Sequence, residues 1–310
     1  MSALDPREEL AQRLGLASAP APRFSSPAQL AAALEARDYL SSPDISSVTY
    51  LADRLAKPLL IEGPAGTGKT ALAKAVAEAT GAKLIRLQCY EGLDEAKALY
   101  EWNYRKQLLR IQARSGSDAT WDALESDIFS NEFLLARPLL EAISSTEPVV
   151  LLIDEIDRVE LETEALLLEI LSEYQVSIPE LGTVKATQIP MVFLTSNNTR
   201  ELSEALKRRC LYLYLDYPEV ARERDIIVSR VPGITEVLAE HVAQVVASLR
   251  QLDLKKAPSV SETLDWARTL VLLGRAELDD AFVLETLHLL LKYQGDLEKA
   301  RRELTRSAGA

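Results

Sequence analysis

Five short apolar runs, Pro58–Gly63, Lys83–Gln88, Val149–Glu155, Met191–Asn197 and Cys210–Asp216, alternate with longer amphipathic stretches. Runs this continuously apolar are buried on both faces, so the alternation predicts an α/β layer around a mostly parallel sheet. The spacing is uneven: about 60 residues separate the second run from the third, far more than one crossover helix needs, so residues 89–148 are expected to hold an insertion. After Pro218 the strand signals stop. Three amphipathic stretches, Thr235–Leu252, Ser261–Leu273 and Asp280–Tyr293, predict a helical domain there. Ser259 and Glu262 have the spacing of a capping box that starts the middle helix, and Gly274 is placed to end it. In the last helix Phe282, Thr286, Leu289, Leu290 and Tyr293 are expected to face the core. Residues 17–28, rich in Pro, Ser and Ala, read as a flexible linker behind a short N-terminal arm.

Composition narrows the class. At roughly 100–200 residues per domain, 310 residues fit about two domains. Apolar residues at 47% and charged ones at 26% exclude collagen-like, disulfide-scaffold and wholly disordered chains. Lys and Arg number 35 against 47 Asp and Glu, a net charge of −12. Such a surface repels phosphate backbones, so no nucleic-acid partner is expected. Cys89 and Cys210, far apart in sequence, fit free thiols in a reducing compartment better than a disulfide. With only His241 and His288 and no CxxC, little could build a zinc or haem site. No apolar run reaches the ~18 residues of a membrane span, and Asp5, Arg7, Glu8 and Glu9 do not suit a signal peptide. A cytoplasmic location is the expectation.

The chemistry sits at the ends of the predicted strands. Leu59-Leu60-Ile61 leads into Gly63-Pro64-Ala65-Gly66-Thr67-Gly68-Lys69-Thr70 and then a helical stretch from Ala71 to Ala77, which is GxxxxGK[ST] in its strand-to-helix context. Glycines let backbone N–H groups wrap phosphates, Lys69 would reach the β- and γ-phosphates, and the Thr70 hydroxyl would ligate Mg²⁺. The run from Val149 ends in Asp154 and Glu155. Burial of the run puts Asp154 at the carboxyl end of the sheet to hold the metal, with Glu155 placed to polarise an attacking water. An Asp-Glu pair could merely cap a helix, but its occurrence after a phosphate loop favours nucleotide chemistry.

These motifs, with Val192-Phe193-Leu194-Thr195-Ser196-Asn197 and the later Arg208-Arg209 before a helical region, resemble AAA+ ATPases. The resemblance implies a P-loop core with strand order 5-1-4-3-2, a C-terminal all-α lid, ATP and Mg²⁺ as ligands, and a ring, most often a hexamer. It makes Asn197 the residue called sensor 1, with Asn198 as its neighbouring rival. It makes Arg209 an arginine finger serving the adjacent subunit, although Arg208 and Cys210 replace the residues that usually flank it and leave Arg208 as an alternative. Lys57-Pro58-Leu59-Leu60-Ile61-Glu62-Gly63-Pro64, Arg86-Leu87-Gln88, Asp154-Glu155-Ile156-Asp157-Arg158, Glu164-Ala165-Leu166-Leu167-Leu168-Glu169 and Glu173-Tyr174-Gln175-Val176-Ser177-Ile178 resemble the MoxR family, across roughly residues 38–300. The wording Arg-Arg-Cys-Leu-Tyr-Leu-Tyr-Leu-Asp-Tyr-Pro is most like the CoxD-type members, encoded beside carbon monoxide dehydrogenase-type molybdenum enzymes. The family implies maturation of a client metalloenzyme, a von Willebrand A domain partner protein, and insertions near 89–148 and in a β-hairpin near 174–190. The expected division is an arm and linker over 1–37, a nucleotide-binding domain over 38–218 and a lid over 219–310. One departure stands out: the family's sensor 2 Arg has no counterpart in Ala257-Pro258-Ser259-Val260-Ser261-Glu262, which leaves Arg268 as a substitute or the coupling weaker.

Two features stay open in the sequence. Tyr90, Tyr100, Trp102 and Tyr104, beside Arg105 and Lys106, could grip a client or simply pack the insertion. Arg158 could reach across a subunit interface or pair with Glu160 or Glu162. Gln88 is placed to sense Glu155 from the neighbouring strand end. A P-loop small-molecule kinase and a nucleotide-gated scaffold with little turnover are the competing functions.

Overall fold

The computed structural model of the chain describes residues 6–15, 21–114, 125, 127–275 and 277–308. Two compact units emerge. One takes the chain through Arg37, Ser41–Glu62 and Thr70–Leu213; the other takes Asp38–Leu40, Gly63–Lys69 and the chain from Tyr214 onward. The glycine loop therefore groups with the C-terminal helices, while Thr70, the very next residue after it, groups with the sheet.

The first unit opens with helices α1 (Pro6–Leu14), α2 (Pro27–Glu35) and α3 (Pro43–Leu55). Ser26 and Ser42 cap α2 and α3 with their hydroxyls, each followed by a Pro whose missing N–H costs nothing at that position. Then come β1 (Leu59–Glu62), α4 (Lys69–Thr80) and β2 (Lys83–Gln88), followed, after an intervening region, by β5 (Val149–Asp154), α8 (Leu161–Glu173), β8 (Met191–Ser196), α9 (Glu204–Arg209) and β9 (Leu211–Tyr214). These five strands form one sheet in the order β2-β5-β8-β1-β9, with parallel registers such as Gln88↔Asp154 and Ile61↔Thr195. Counted in chain order from the β9 edge, that is 5-1-4-3-2, the order of the AAA+ P-loop NTPase core. Each predicted apolar run contains its strand. The reason is burial: every residue of β1, β5 and β8 is buried, and such strands need no polar face.

Between β2 and β5 lie α5 (Glu95–Ala98), β3 (Tyr100–Trp102), α6 (Tyr104–Arg114), β4 (Leu134–Ala136) and α7 (Pro138–Ser144), with β3 and β4 paired antiparallel. Trp102 is only 6% exposed and sits edge-on to Phe129 and Tyr100, so it is a packing residue and not a surface grip. Tyr104, at 62%, faces outward. Before β8, β6 (Gln175–Ile178) and β7 (Gly182–Lys185) form an antiparallel hairpin.

The expectation of a flexible linker over 17–28 fails for its described part, residues 21–28. Phe24 is buried, and Arg23 donates from its backbone and guanidinium to the buried Asp53 of α3, which also receives Arg7 from α1. Residues 17–20 lie outside the described part of the chain.

The second unit contains α10 (Val220–Arg230), α11 (Glu236–Arg250), α12 (Val260–Leu272), α13 (Asp280–Leu290) and α14 (Gln294–Ala308). Both hydrogen bonds of the Ser259–Glu262 capping box form, and Gly274 follows α12 with φ +66°. Two helices escaped the sequence pattern. α10 and α14 carry so many charges that their thin apolar stripes, Leu297, Ala300 and Leu304 in α14, barely register. The core face of α13 is also rotated from the expected one: Phe282, Val283, Thr286, Leu287 and Leu290 are buried, whereas Tyr293 lies beyond the helix end, exposed, with the Lys255 ammonium over its ring. Trp266 anchors this core and donates to the Thr286 hydroxyl at 3.0 Å. Among the described residues no helix is long and apolar enough to cross a membrane.

Candidate functional site

Two glycines of the loop are required by what surrounds them. A Cβ on Gly63, whose φ is +149°, would stand 1.9 Å from the Leu215 carbonyl oxygen, and one on Gly66 would stand 2.4 Å from the Ser259 side chain. The loop is also stitched from within. Thr67 donates to the Pro64 carbonyl, and the buried Lys69 ammonium donates to the carbonyls of Gly63 and Pro64 at 2.7 and 2.6 Å. At the start of α12, the Val260 amide donates to the Gly66 carbonyl at 3.2 Å. No Arg stands in this stretch, and Arg268, the candidate substitute, is exposed and paired with Asp265 of its own helix.

Thr70 and Asp154, 84 residues apart in sequence, meet directly: the Thr70 hydroxyl donates to Asp154 Oδ1 at 3.0 Å. The Thr195 hydroxyl donates to the same oxygen and accepts the Glu155 amide at 3.0 Å. Across the β2–β5 register, Arg86 places Nε at 3.0 Å and Nη2 at 2.5 Å from Asp154 Oδ2. Arg86 also donates to the Gln88 side-chain carbonyl, and Gln88 Nε2 donates to Glu155 Oε2 at 3.1 Å, the contact its position suggests. Arg158 pairs with neither Glu160 nor Glu162: its Nε pairs with Glu155 Oε2 at 2.9 Å. The 3-10 turn Ile156–Arg158 carries Arg158 back over Glu155, which is itself left-handed at φ +58°.

The end of β8 is held separately. Asp157 accepts from the Asn197 amide at 3.2 Å, the Thr199 amide at 3.0 Å and the Thr199 hydroxyl. Burial pulls the Asp157 carboxyl upward, but these hydrogen bonds prevail and hold it below its ordinary value. Among the described residues the Asn197 side-chain amide makes no hydrogen bond; Asn198, left-handed at φ +59°, donates its backbone amide to the Ser196 hydroxyl at 3.0 Å. Cys89, buried behind this cluster, has its thiol pushed up to about 12, first by burial and then by the charges of Asp154, Asp157 and Glu155. Arg209 lies elsewhere, exposed at the end of α9, donating to the Ser172 hydroxyl and to the Ala205 carbonyl at 3.1 Å. Arg208 beside it is exposed as well.

Sequence reasoning missed Arg86 and Thr195 as members of this cluster. Their signal was period-two: Arg86 and Gln88 share one face of β2, but nothing short of the register shows that the face meets Asp154. A hydroxyl and a carboxylate side by side are hard oxygen donors, so Thr70 and Asp154 fit Mg²⁺.

Residues 58–210 match the model of the AAA domain, dynein-related subfamily. No curated protein matches the chain. Among solved structures, the Thermotoga maritima RuvB Holliday junction branch migration motor aligns with TM-score 0.45 at 18% identity, covering 85% of this chain and 67% of that one. A mutant of the same protein gives TM-score 0.43 at 21% identity over 84% and 67%. Residues 58–210, the part similar to the AAA domain, hold all of β1, β2, β5 and β8 of the sheet.

Proposed function

We propose that this chain is an ATP-hydrolysing AAA+ protein of MoxR type that assembles into a ring, a hexamer by family, and remodels or matures a client metalloenzyme. The client class is a molybdenum hydroxylase of carbon monoxide dehydrogenase type, and the helper a von Willebrand A domain protein. The observation that carries the nucleotide chemistry is the meeting of Thr70 with Asp154, with Glu155 next in the chain. The MoxR reading rests on the resemblance over residues 38–300 and draws support from the β6–β7 hairpin ahead of β8.

In this reading Gly63, Pro64, Ala65, Gly66, Thr67 and Gly68 bind the phosphates through backbone amides. Lys69 turns from the Gly63 and Pro64 carbonyls to the anion. Thr70 and Asp154 hold Mg²⁺, which when bound draws charge from the phosphate oxygens. Glu155 accepts the proton of the attacking water, Asn197 orients that water through its uncommitted amide, and Arg209 neutralises developing charge in a neighbour's site. Gln88 and Arg158 both hold Glu155 by Oε2, and a cationic partner lowers the basicity of the carboxylate.

That last feature favours one second reading, a nucleotide-gated scaffold with little turnover, as does the start of α12 without an Arg. Phosphate release from ATP, without any acceptor, separates the two readings and also excludes a kinase. Lys69→Ala is expected to lose nucleotide binding, and Glu155→Gln to keep it while losing about 10²–10⁴ in turnover. Equal nucleotide affinity in wild type and Lys69→Ala would sink the assignment, and a wild type that binds but does not turn over would establish the scaffold.

A further inference from the structure

Asp157 belongs to none of the roles above, yet it is 4% exposed and spends one carboxylate oxygen on three donors of a single short turn, residues 197–199. It rides on the 3-10 turn that begins directly after Glu155, where the Arg158 amide closes onto the Glu155 carbonyl at 3.0 Å. The far end of its hydrogen bonds is the backbone of Asn197, whose side chain has no hydrogen bond of its own among the described residues. The position of that amide thus depends on the backbone that carries it, which Asp157 holds at residues 197 and 199 while the Ser196 hydroxyl accepts the Asn198 amide at 3.0 Å. The next residue, Asn198, sits in a left-handed conformation that Asn tolerates but that needs an outside restraint to stay unique.

We propose that Asp157 is the positioning residue for Asn197, tying the turn after Glu155 to the turn after β8 so that base and amide keep one mutual geometry. The proposal rests on the ATPase reading for its kinetic consequence but not for its structural one. A carboxylate is suited to the task because it accepts several hydrogen bonds at once, and those to a charged acceptor are the stronger kind. Asn in its place would retain an oxygen for the two amides, whereas Ala would retain nothing.

The test is a cycle of Asp157→Ala, Asn197→Ala and the double variant, with Asp157→Asn as the conservative control. Turnover, nucleotide affinity and amide hydrogen exchange are measured on the full chain. Asp157→Ala should lose about 10–10² in kcat, the scale of a misplaced group, with nucleotide affinity unchanged. In the Asn197→Ala background the same substitution should cost almost nothing further, and Asp157→Asn should restore most of the activity. Exchange at Asn197 and Thr199 should rise about tenfold or more in Asp157→Ala while the strand amides of β5 and β8 stay protected. Equal losses in both backgrounds, or unchanged exchange at 197–199, overturn the proposal. Should Asp157→Ala fail to fold, Thr199→Val removes one donor and must show a smaller loss that vanishes in the Asn197→Ala background. A wild type without turnover overturns the ATPase reading alone, and the exchange data then decide the positioning claim.

Discussion

Thr195 shows how much a single hydroxyl can govern. It donates to Asp154 and accepts the amide of Glu155, whose left-handed backbone is strained for a Glu. Without that acceptor the Glu155 amide loses its partner and its φ has less reason to stay at +58°. Thr195→Val keeps the shape of this buried position, so its effect isolates the hydrogen bonds. Stability should fall by about 1–2 kcal/mol in urea unfolding, and turnover by about 10–10² as Glu155 drifts. Thr195→Ser should keep both. Wild-type turnover in Thr195→Val would show that the Glu155 conformation does not depend on this bond. Arg86 and Arg158 teach a complementary lesson: each carboxylate of the Asp154–Glu155 pair has its own guanidinium, which offsets the repulsion between two adjacent negative charges.

At the scale of elements, the chain ahead of β1 is fastened by one buried carboxylate. Asp53 of α3 carries Arg7 from α1 at 3.0 Å and Arg23 at 2.8 Å, and Arg23 reaches on to the Ile189 carbonyl ahead of β8. Removing that carboxylate leaves two guanidinium groups buried against each other, so Asp53→Ala should cost about 3–5 kcal/mol. Urea unfolding measures the loss, and limited proteolysis should cut first near residues 21–28; an unshifted unfolding midpoint would show that α1 and α2 are held by apolar contacts alone. This fastening was illegible in sequence because a Pro/Ser/Ala-rich stretch looks the same whether it is loose or pinned; the pin is 30 residues downstream. The strands β1, β5 and β8, by contrast, were plain, since full burial leaves a mostly apolar run. The phosphate loop and Asp154-Glu155 were equally plain because each is contiguous. The contacts of Arg86, Thr195 and Asp157 were not, since they cross between strands 40 to 68 residues apart. The helices α10 and α14 were missed because a helix that packs by one narrow stripe is mostly charge in its sequence.

For the whole molecule, the open question is whether one chain can complete its own chemistry. Arg209 spends its hydrogen bonds on Ser172 and Ala205, within its own unit and away from the Thr70–Asp154 cluster. A guanidinium is charged at every accessible pH and forks onto phosphate oxygens, so one displayed at the end of a surface helix suits a site on another copy. If so, Arg209→Ala should bind nucleotide as wild type does and lose about 10³–10⁵ in turnover, the range for arginine fingers. Lys69→Ala should also be inactive, but for want of nucleotide. Mixing the two inactive variants at fixed total protein should restore part of the activity, because some interfaces then join an intact phosphate loop to an intact Arg209. Arg208→Ala in place of Arg209→Ala tests the neighbouring candidate in the same assay, and only the true finger complements. Co-assembly must be shown independently, by light scattering or by pull-down of one tagged variant with the other. Proven mixed assemblies with no recovered turnover for either arginine would mean that each subunit completes its site alone, and that α9 presents its basic end to something other than a neighbour's phosphates.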